Sequence, residues 1–407
     1  MMKALFFSIL SLCLPAIAGG SLLQASSSSS AGEDVTACFT SSVFKQELLR
    51  QGIVADTGRI LRSEVAGVTR LQLRTRDPLQ SLAGIECFTA LKDLELRPSY
   101  GYYRRMDTLA LDVSLNSALE TLEISNFYVG KRLDMSSNKQ LRMLRCRTCR
   151  LQELVLDCNP NLEILTCPYN DLQKIDLSHN LRLRTVDVGH QSVEGLDGDP
   201  RRGVLTCLLL PDNRNDEDGM RDLKCGWNQL KELDLDRLPY LTRLDCRWCC
   251  FTELDLSAYP RLQDVACEGN YLPALDLSHQ LHLRRLVCGN QGSTGGGVME
   301  KGKDYHLLKS LILPVQTENS DELCLQVLSY AGARFAAPLD ISLYPSLRTL
   351  DCSDNELTTL NISANQKLWM LDCTKNKISH LNLKENPALR RIKVDHITIE
   401  LSDDDAR

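Results

Sequence analysis

Aromatic residues are scarce: 5% of 407 positions, with only three tryptophans. A core must therefore come from leucine and its relatives, and a 43% hydrophobic share is enough to build a large one. A basic excess is missing as well. The formal charge of −6 excludes bulk nucleic-acid binding, which leaves a basic footprint. Long apolar runs are lacking beyond the N-terminus, so no integral membrane segment is expected. The seven histidines stand in no metal or nucleophile motif. Glycine-rich STGGGVMEKGK lacks the spacing of a phosphate loop. With no convergent nucleophile, base and stabiliser, neither catalysis nor a cofactor is expected.

The N-terminus reads MMKALFFSILSLCLPAIAGG. Lys3 supplies a positive n-region, residues 4–14 an apolar stretch, and Ala16-Ile17-Ala18 a small-residue cleavage site. Residues 1–18 read as a signal peptide, with export to the periplasm, the cell surface or the medium after cleavage near Ala18. Cys13 lies behind Leu12 inside the apolar stretch, which does not suit a lipidation site. Residues 19–35 form a serine-rich flexible leader.

What the chain has in abundance is cysteine, 17 in all. LRCRTCRLQEL and LDCRWCCFTEL each hold a C-x-x-C pair, at Cys146/Cys149 and Cys246/Cys249. Such pairs suggest a zinc clasp or a redox centre. Internal periodicity gives a different reading. Segments starting at 141, 162, 220, 241, 262, 347 and 368 share one 21-residue frame, L-x-x-L-x-C-x-x-N-x-L-x-x-L-D-L-S-x-N-P-x. This is a leucine-rich repeat pattern. Cys146, Cys167, Cys225, Cys246, Cys267, Cys288, Cys352 and Cys373 occupy slot six. Asn170, Asn228, Asn270, Asn355 and Asn376 occupy slot nine, with Gln191 and Gln291 as variants. Cys149 and Cys249 also fall in slot nine, so each C-x-x-C is two ladder positions coinciding, and no metal is expected.

The physical reading is an α/β solenoid: a right-handed superhelix with a parallel strand face, a mostly irregular convex side and a small helical N-terminal cap. Each coil cannot bury its own apolar face, and stacking makes the core continuous. Slots four and six point inward on a strand, where a thiol acts as a small hydrophobe. The slot-nine amide can satisfy backbone groups from coil to coil. Aligned cysteines about 4.7–4.9 Å apart with parallel Cα–Cβ vectors do not suit a disulfide, so reduced thiols are expected.

The slot-six cysteine, the 21-residue period and the LDLS half-repeat resemble bacterial internalin-type leucine-rich repeat proteins of the cysteine-ladder (internalin J-like) kind, over residues 36–402. The resemblance implies a small helical cap, often with a calcium-loop-like stretch. Only Asp56, Gly58, Ile60 and Glu64 echo that stretch, which points to a structural cap without metal. The expected organisation is a cap over 36–90 with a helix near Ser42–Gln51, a solenoid over 91–402 and an acidic tail over 403–407. No anchoring motif follows the last coil, unlike internalins tethered to the cell wall. Whether Cys38 and Cys87 pair stays open.

Two coils are stretched. Gln191 to Leu208 takes 17 residues and Gln291 to Leu311 takes 20, where Asn170 to Ile175 takes 5. The extra 12 and 15 residues predict loops near 191–207 and 291–310 on one flank, either ligand-contacting lips or tolerated growth. The acidic run DNRNDEDG reads as a solvated turn rather than a cation site. Trp227 and Trp248 hold slot eight in neighbouring coils, and Tyr169 holds it two coils before Trp227. Arg145, Arg147, Arg243 and Arg247 hold slots five, seven, three and seven, and Trp369 falls in a strand segment. Tryptophan, tyrosine and arginine are the usual anchors of protein interfaces, although Trp227 and Trp248 could simply cover the core's edge. The expected role is non-catalytic recognition of a protein or surface glycan through the strand face. The alternatives are an envelope scaffold and, more remotely, a thiol-redox or zinc protein. Oligomeric state is not legible.

Overall fold

The structure is a computed structural model that describes residues 32–98, 107–191, 203–292, 308–315, 324–395 and 398–400. The expected signal peptide, most of the expected leader, much of both stretched loops and the acidic tail lie outside the described residues.

Leucines at slots one and four and the residue at slot six alternate with polar positions, and alternation at period two makes strands. Met143–Arg147 shows it, with Leu144 and Cys146 buried between half-buried or exposed neighbours. Fourteen such strands form one parallel sheet, from Arg70–Thr75 to Arg391–Lys393. Each strand pairs with the same slots of the next coil, as in Leu144 with Leu165 and Leu244 with Val265. The far side of each coil is short turns and two-stranded pairs, such as Lys174–Asp176 with Cys207–Leu209 and Ala274–Asp276 with Ser310–Ile312. Both insertions therefore open at one point of the repeat, between slot nine and the short second strand.

The cap is built on α1 (Ser42–Arg50), whose N-terminus is closed by Ser41 Oγ accepting from the Phe44 amide at 3.2 Å. Phe44 and Leu48 bury against Phe39 and Phe88, with the three rings packed mutually at 5.6–6.3 Å. A one-turn α2 (Arg62–Val65) follows. The sheet begins at Arg70, inside the segment assigned to the cap from the sequence, so the cap shares its first strand with the solenoid. Asp56 accepts from the Gly58 amide, and Glu64 accepts from the Ala55 and Leu61 amides. These carboxylates close local turns.

The slot-six residues lie in one row by register, and the named cysteines in it are buried. Val188 stands between Cys167 and Cys225, and Tyr330 between Cys288 and Cys352. Tyr330 belongs to a coil outside the seven segments, with strand Val327–Ser329. Each slot-nine amide works on two coils. Asn270 Nδ2 donates to the Cys246 and Cys267 carbonyls, and its Oδ1 accepts from the Phe251 amide. Gln191 and Gln291 do the same. The Cys149 thiol donates to the Ile124 carbonyl and the Cys249 thiol to the Cys225 carbonyl, so each does the work of the asparagine. A second amide row runs along slot 19, where Asn138, Asn159 and Asn180 donate to carbonyls of the preceding coil.

Candidate binding surface

Slot eight ends the strand and turns the chain. At Asn126, Thr148, Tyr169, His190, Trp227, Trp248, Gly269, Asn290, Gly332, Asp354 and Lys375 the backbone is left-handed, with φ between 52° and 70°. That region suits glycine, asparagine and aspartate and strains other residues by about 1 kcal/mol or more. Four consecutive coils place large rings there: Tyr169, His190, Trp227 and Trp248.

The rings form one stack. Tyr169 to His190 is 4.8 Å between centroids, His190 to Trp227 5.0 Å, and Trp227 to Trp248 5.2 Å, all within 25° of parallel. The spacing follows the pitch of the sheet, which sets the coils about 4.7–4.9 Å apart. The Arg147 guanidinium covers the outer face of Tyr169 at 4.8 Å. At the other end the Trp248 ring lies on Gly269, where an added Cβ would collide with it. Stacked pairs contribute about 0.5–1.5 kcal/mol each. Three pairs thus roughly offset the strain of four left-handed positions, before the area that each ring buries is counted.

Faces are used within the stack, and edges are left outward. Tyr169 is 40% exposed, and the other three rings are half-buried. Neither indole N–H donates a hydrogen bond among the described residues. Burial lowers the His190 pKa; Asp245 opposes this, while Arg247 and Arg147 add to it. Beneath the stack Asp187 is raised, first by burial. The first insertion borders this surface: it leaves at Gln191, next to His190, and returns at Gly203 against the Trp227 backbone.

The structure brings Tyr169, Trp227, Trp248 and Arg147 together and adds His190. The repeat frame carries that signal, because His190 is slot eight of the coil from Leu183. Trp369 is not part of this surface. It occupies slot two, just before strand Met370–Asp372, with the Arg391 guanidinium 4.9 Å over its ring. The remaining arginines are held by carboxylates: Arg145 by Glu123 at 2.9 Å, Arg243 by Asp222 at 2.7 Å, and Arg247 by Asp245 at 2.8 Å and Glu268 at 3.5 Å. Arg247 flanks the stack without standing as an isolated positive charge. In the acidic run, Asp212 pairs with Arg214, and Asp216 accepts from the Asp218 amide, as a turn does.

Burial pushes Cys149, Cys249 and Cys373 up to about 12, far from a nucleophile or metal ligand at neutral pH. Among the described residues, no helix is long and apolar enough to cross a membrane.

No family model and no curated protein matches the chain. Solved structures do. The functional domain of internalin J from Listeria monocytogenes, which includes a cysteine ladder, superposes with a TM-score of 0.69 at 24% identity, covering 91% of this chain and 72% of that one. An internalin F from Listeria monocytogenes gives 0.58 at 15% identity, covering 88% and 96%. A leucine-rich repeat protein of Leptospira interrogans gives 0.56 at 17% identity, covering 84% and 86%. The fold is thus the leucine-rich repeat superhelix of internalin-type proteins.

Proposed function

We propose that this chain, which shares its leucine-rich repeat fold with internalin J, is an exported, non-catalytic recognition protein that binds a protein ligand along the slot-eight edge of its strand face. One observation carries the reading: four adjacent left-handed turns hold large rings where the backbone favours glycine, asparagine or aspartate. Stacking offsets the backbone strain of that choice, and the outward ring edges are what it offers a ligand. A protein fits better than a glycan, because a sugar stacks on a free ring face and these faces are occupied.

The left-handed backbone makes the test clean. Glycine is the residue most at ease there, so Trp227→Gly and Trp248→Gly remove a ring without strain. Asp354→Gly is the matched control in the same slot. Capture of surface or secreted proteins by the immobilised full chain is expected to weaken tenfold or more in either tryptophan variant, as loss of an interface anchor does. It should stay unchanged in the control. Equal capture by all variants would favour the alternative, an envelope scaffold with no dedicated ligand face.

A further inference from the structure

Cys38 and Cys87 lie outside the slot-six and slot-nine columns that hold most of the described cysteines. Each ends a single 3-10 turn, Thr36–Cys38 and Ile85–Cys87, and neither belongs to the repeat frame. Their sulfurs and a Glu86 carboxylate oxygen all lie within 4.8 Å of one another. Ladder cysteines are set one pitch apart with parallel side chains, which a disulfide does not tolerate. These two approach from separate turns and are free of that limit.

Two chemistries could use the pair, a bond or a metal ion. The Arg62 guanidinium acts on both sulfurs. That positive charge opposes a bound cation, and Glu33 holds the guanidinium in place at 2.5 Å. Glu86 is also committed, accepting from the Gly84 amide at 2.8 Å. We propose that Cys38 and Cys87 form a redox-controlled disulfide that staples the helical cap to the first coils of the solenoid. The closed loop contains α1, α2 and the strand Arg70–Thr75.

The two sulfurs have different roles. Cys38 is partly exposed, whereas Cys87 is 2% exposed and pushed by burial up to about 11. Cys38, as thiolate, attacks the disulfide of an exchange donor, a small or protein dithiol in its oxidised form, and one donor thiol leaves. Cys87 gives up its proton and attacks the Cys38 sulfur, and the second donor thiol leaves. Two S–H bonds and the donor's S–S bond are broken, and one S–S bond forms within the chain. The donor carries off two electrons and two protons.

The test uses the full chain equilibrated in a buffer of oxidised and reduced glutathione, quenched in acid, alkylated and digested with trypsin. The expected product is one joined species made of the peptides ending at Lys45 and Lys92, with the ladder cysteines alkylated only after unfolding. Reduction should then lower the thermal midpoint of the parent chain but not of Cys38→Ala/Cys87→Ala. Recovery of Cys38 and Cys87 as separate alkylated or glutathione-capped peptides would overturn the proposal. So would stoichiometric zinc that shields the pair from alkylation until a chelator is added. The peptide map is read on the parent chain, so it stands even where the double variant folds poorly.

Discussion

Beyond Asn126 and Thr148, the slot-eight column falls into two stretches with one backbone and two chemistries. From Tyr169 to Trp248 the left-handed turns carry stacked rings; from Gly269 to Lys375 they carry Gly269, Asn290, Gly332, Asp354 and Lys375. The second half is mostly what the backbone asks for. The first half is what a surface asks for, tolerated because neighbouring rings offset the strain. A residue that fits its backbone poorly in four consecutive coils says more about function than one that fits well.

The two halves rest on the same amide row, and the largest expected effect tests that. Asn228→Leu in the first half and Asn355→Leu in the second each leave two carbonyls and one amide unpaired, at about 1–3 kcal/mol per buried group. Both variants should lose roughly 3 kcal/mol or more in urea unfolding. A large loss in one and none in the other would show that the halves are held differently.

Next comes glycine. Gly269→Ala puts a methyl into the Trp248 ring at a left-handed position, whereas Gly332→Ala meets the Asn290 side chain, which can turn away. We expect about 2–3 kcal/mol of destabilisation and a changed tryptophan emission from the first, and about 1 kcal/mol from the second. Equal costs would mean the Trp248 ring does not rest on Gly269.

Acid should separate the halves as well. His190 has a lowered folded pKa, so the stability it contributes is present at neutral pH and is lost as pH falls from its unfolded value of about 6.5 towards the folded one. Asp187, with its raised pKa, acts oppositely: stability falls as pH rises through its folded value, which partly counters the loss at lower pH. In the polar half the Asp340 carboxyl is lowered by the Ser342 hydroxyl and amide, so its contribution goes only below about pH 4. Tryptophan emission should therefore change between about pH 7 and 5, and His190→Asn, a residue this slot accepts at Asn290, should abolish the change. An unaltered titration in that variant would remove His190 from the stack. The smallest effect is Asp354→Gly, expected within about 0.5 kcal/mol of the parent in urea unfolding.

Much of this was legible in the sequence because a 21-residue frame fixes which slots face inward. The row of Cys146, Cys167, Cys225, Cys246 and Cys267 and the amide work of Asn170 and Asn270 follow from alternation and pitch. The stacking of Trp227 on Trp248 follows from a shared slot. Three things escaped. The coil carrying Tyr330 was hidden by a tyrosine in the cysteine slot and by alanine at Ala333, where an amide belongs. His190 was hidden by reading the histidines for chemistry and not for slot. Trp369 was grouped with the other tryptophans by strand proximity, although slot two and slot eight lie at opposite ends of a strand. Pairing of Arg145, Arg243 and Arg247 by Glu123, Asp222 and Glu268 depends on neighbours one coil away, which a pattern of single positions does not weigh.

The central claim is that the four slot-eight rings form one continuous stack that the backbone itself does not require. Exciton-coupled circular dichroism of the two indoles tests this most directly. A paired positive and negative band should be present in the parent chain and vanish in Trp227→Gly and in Trp248→Gly, with unfolding midpoints little changed. A spectrum without the couplet, or one that survives either substitution, would contradict it.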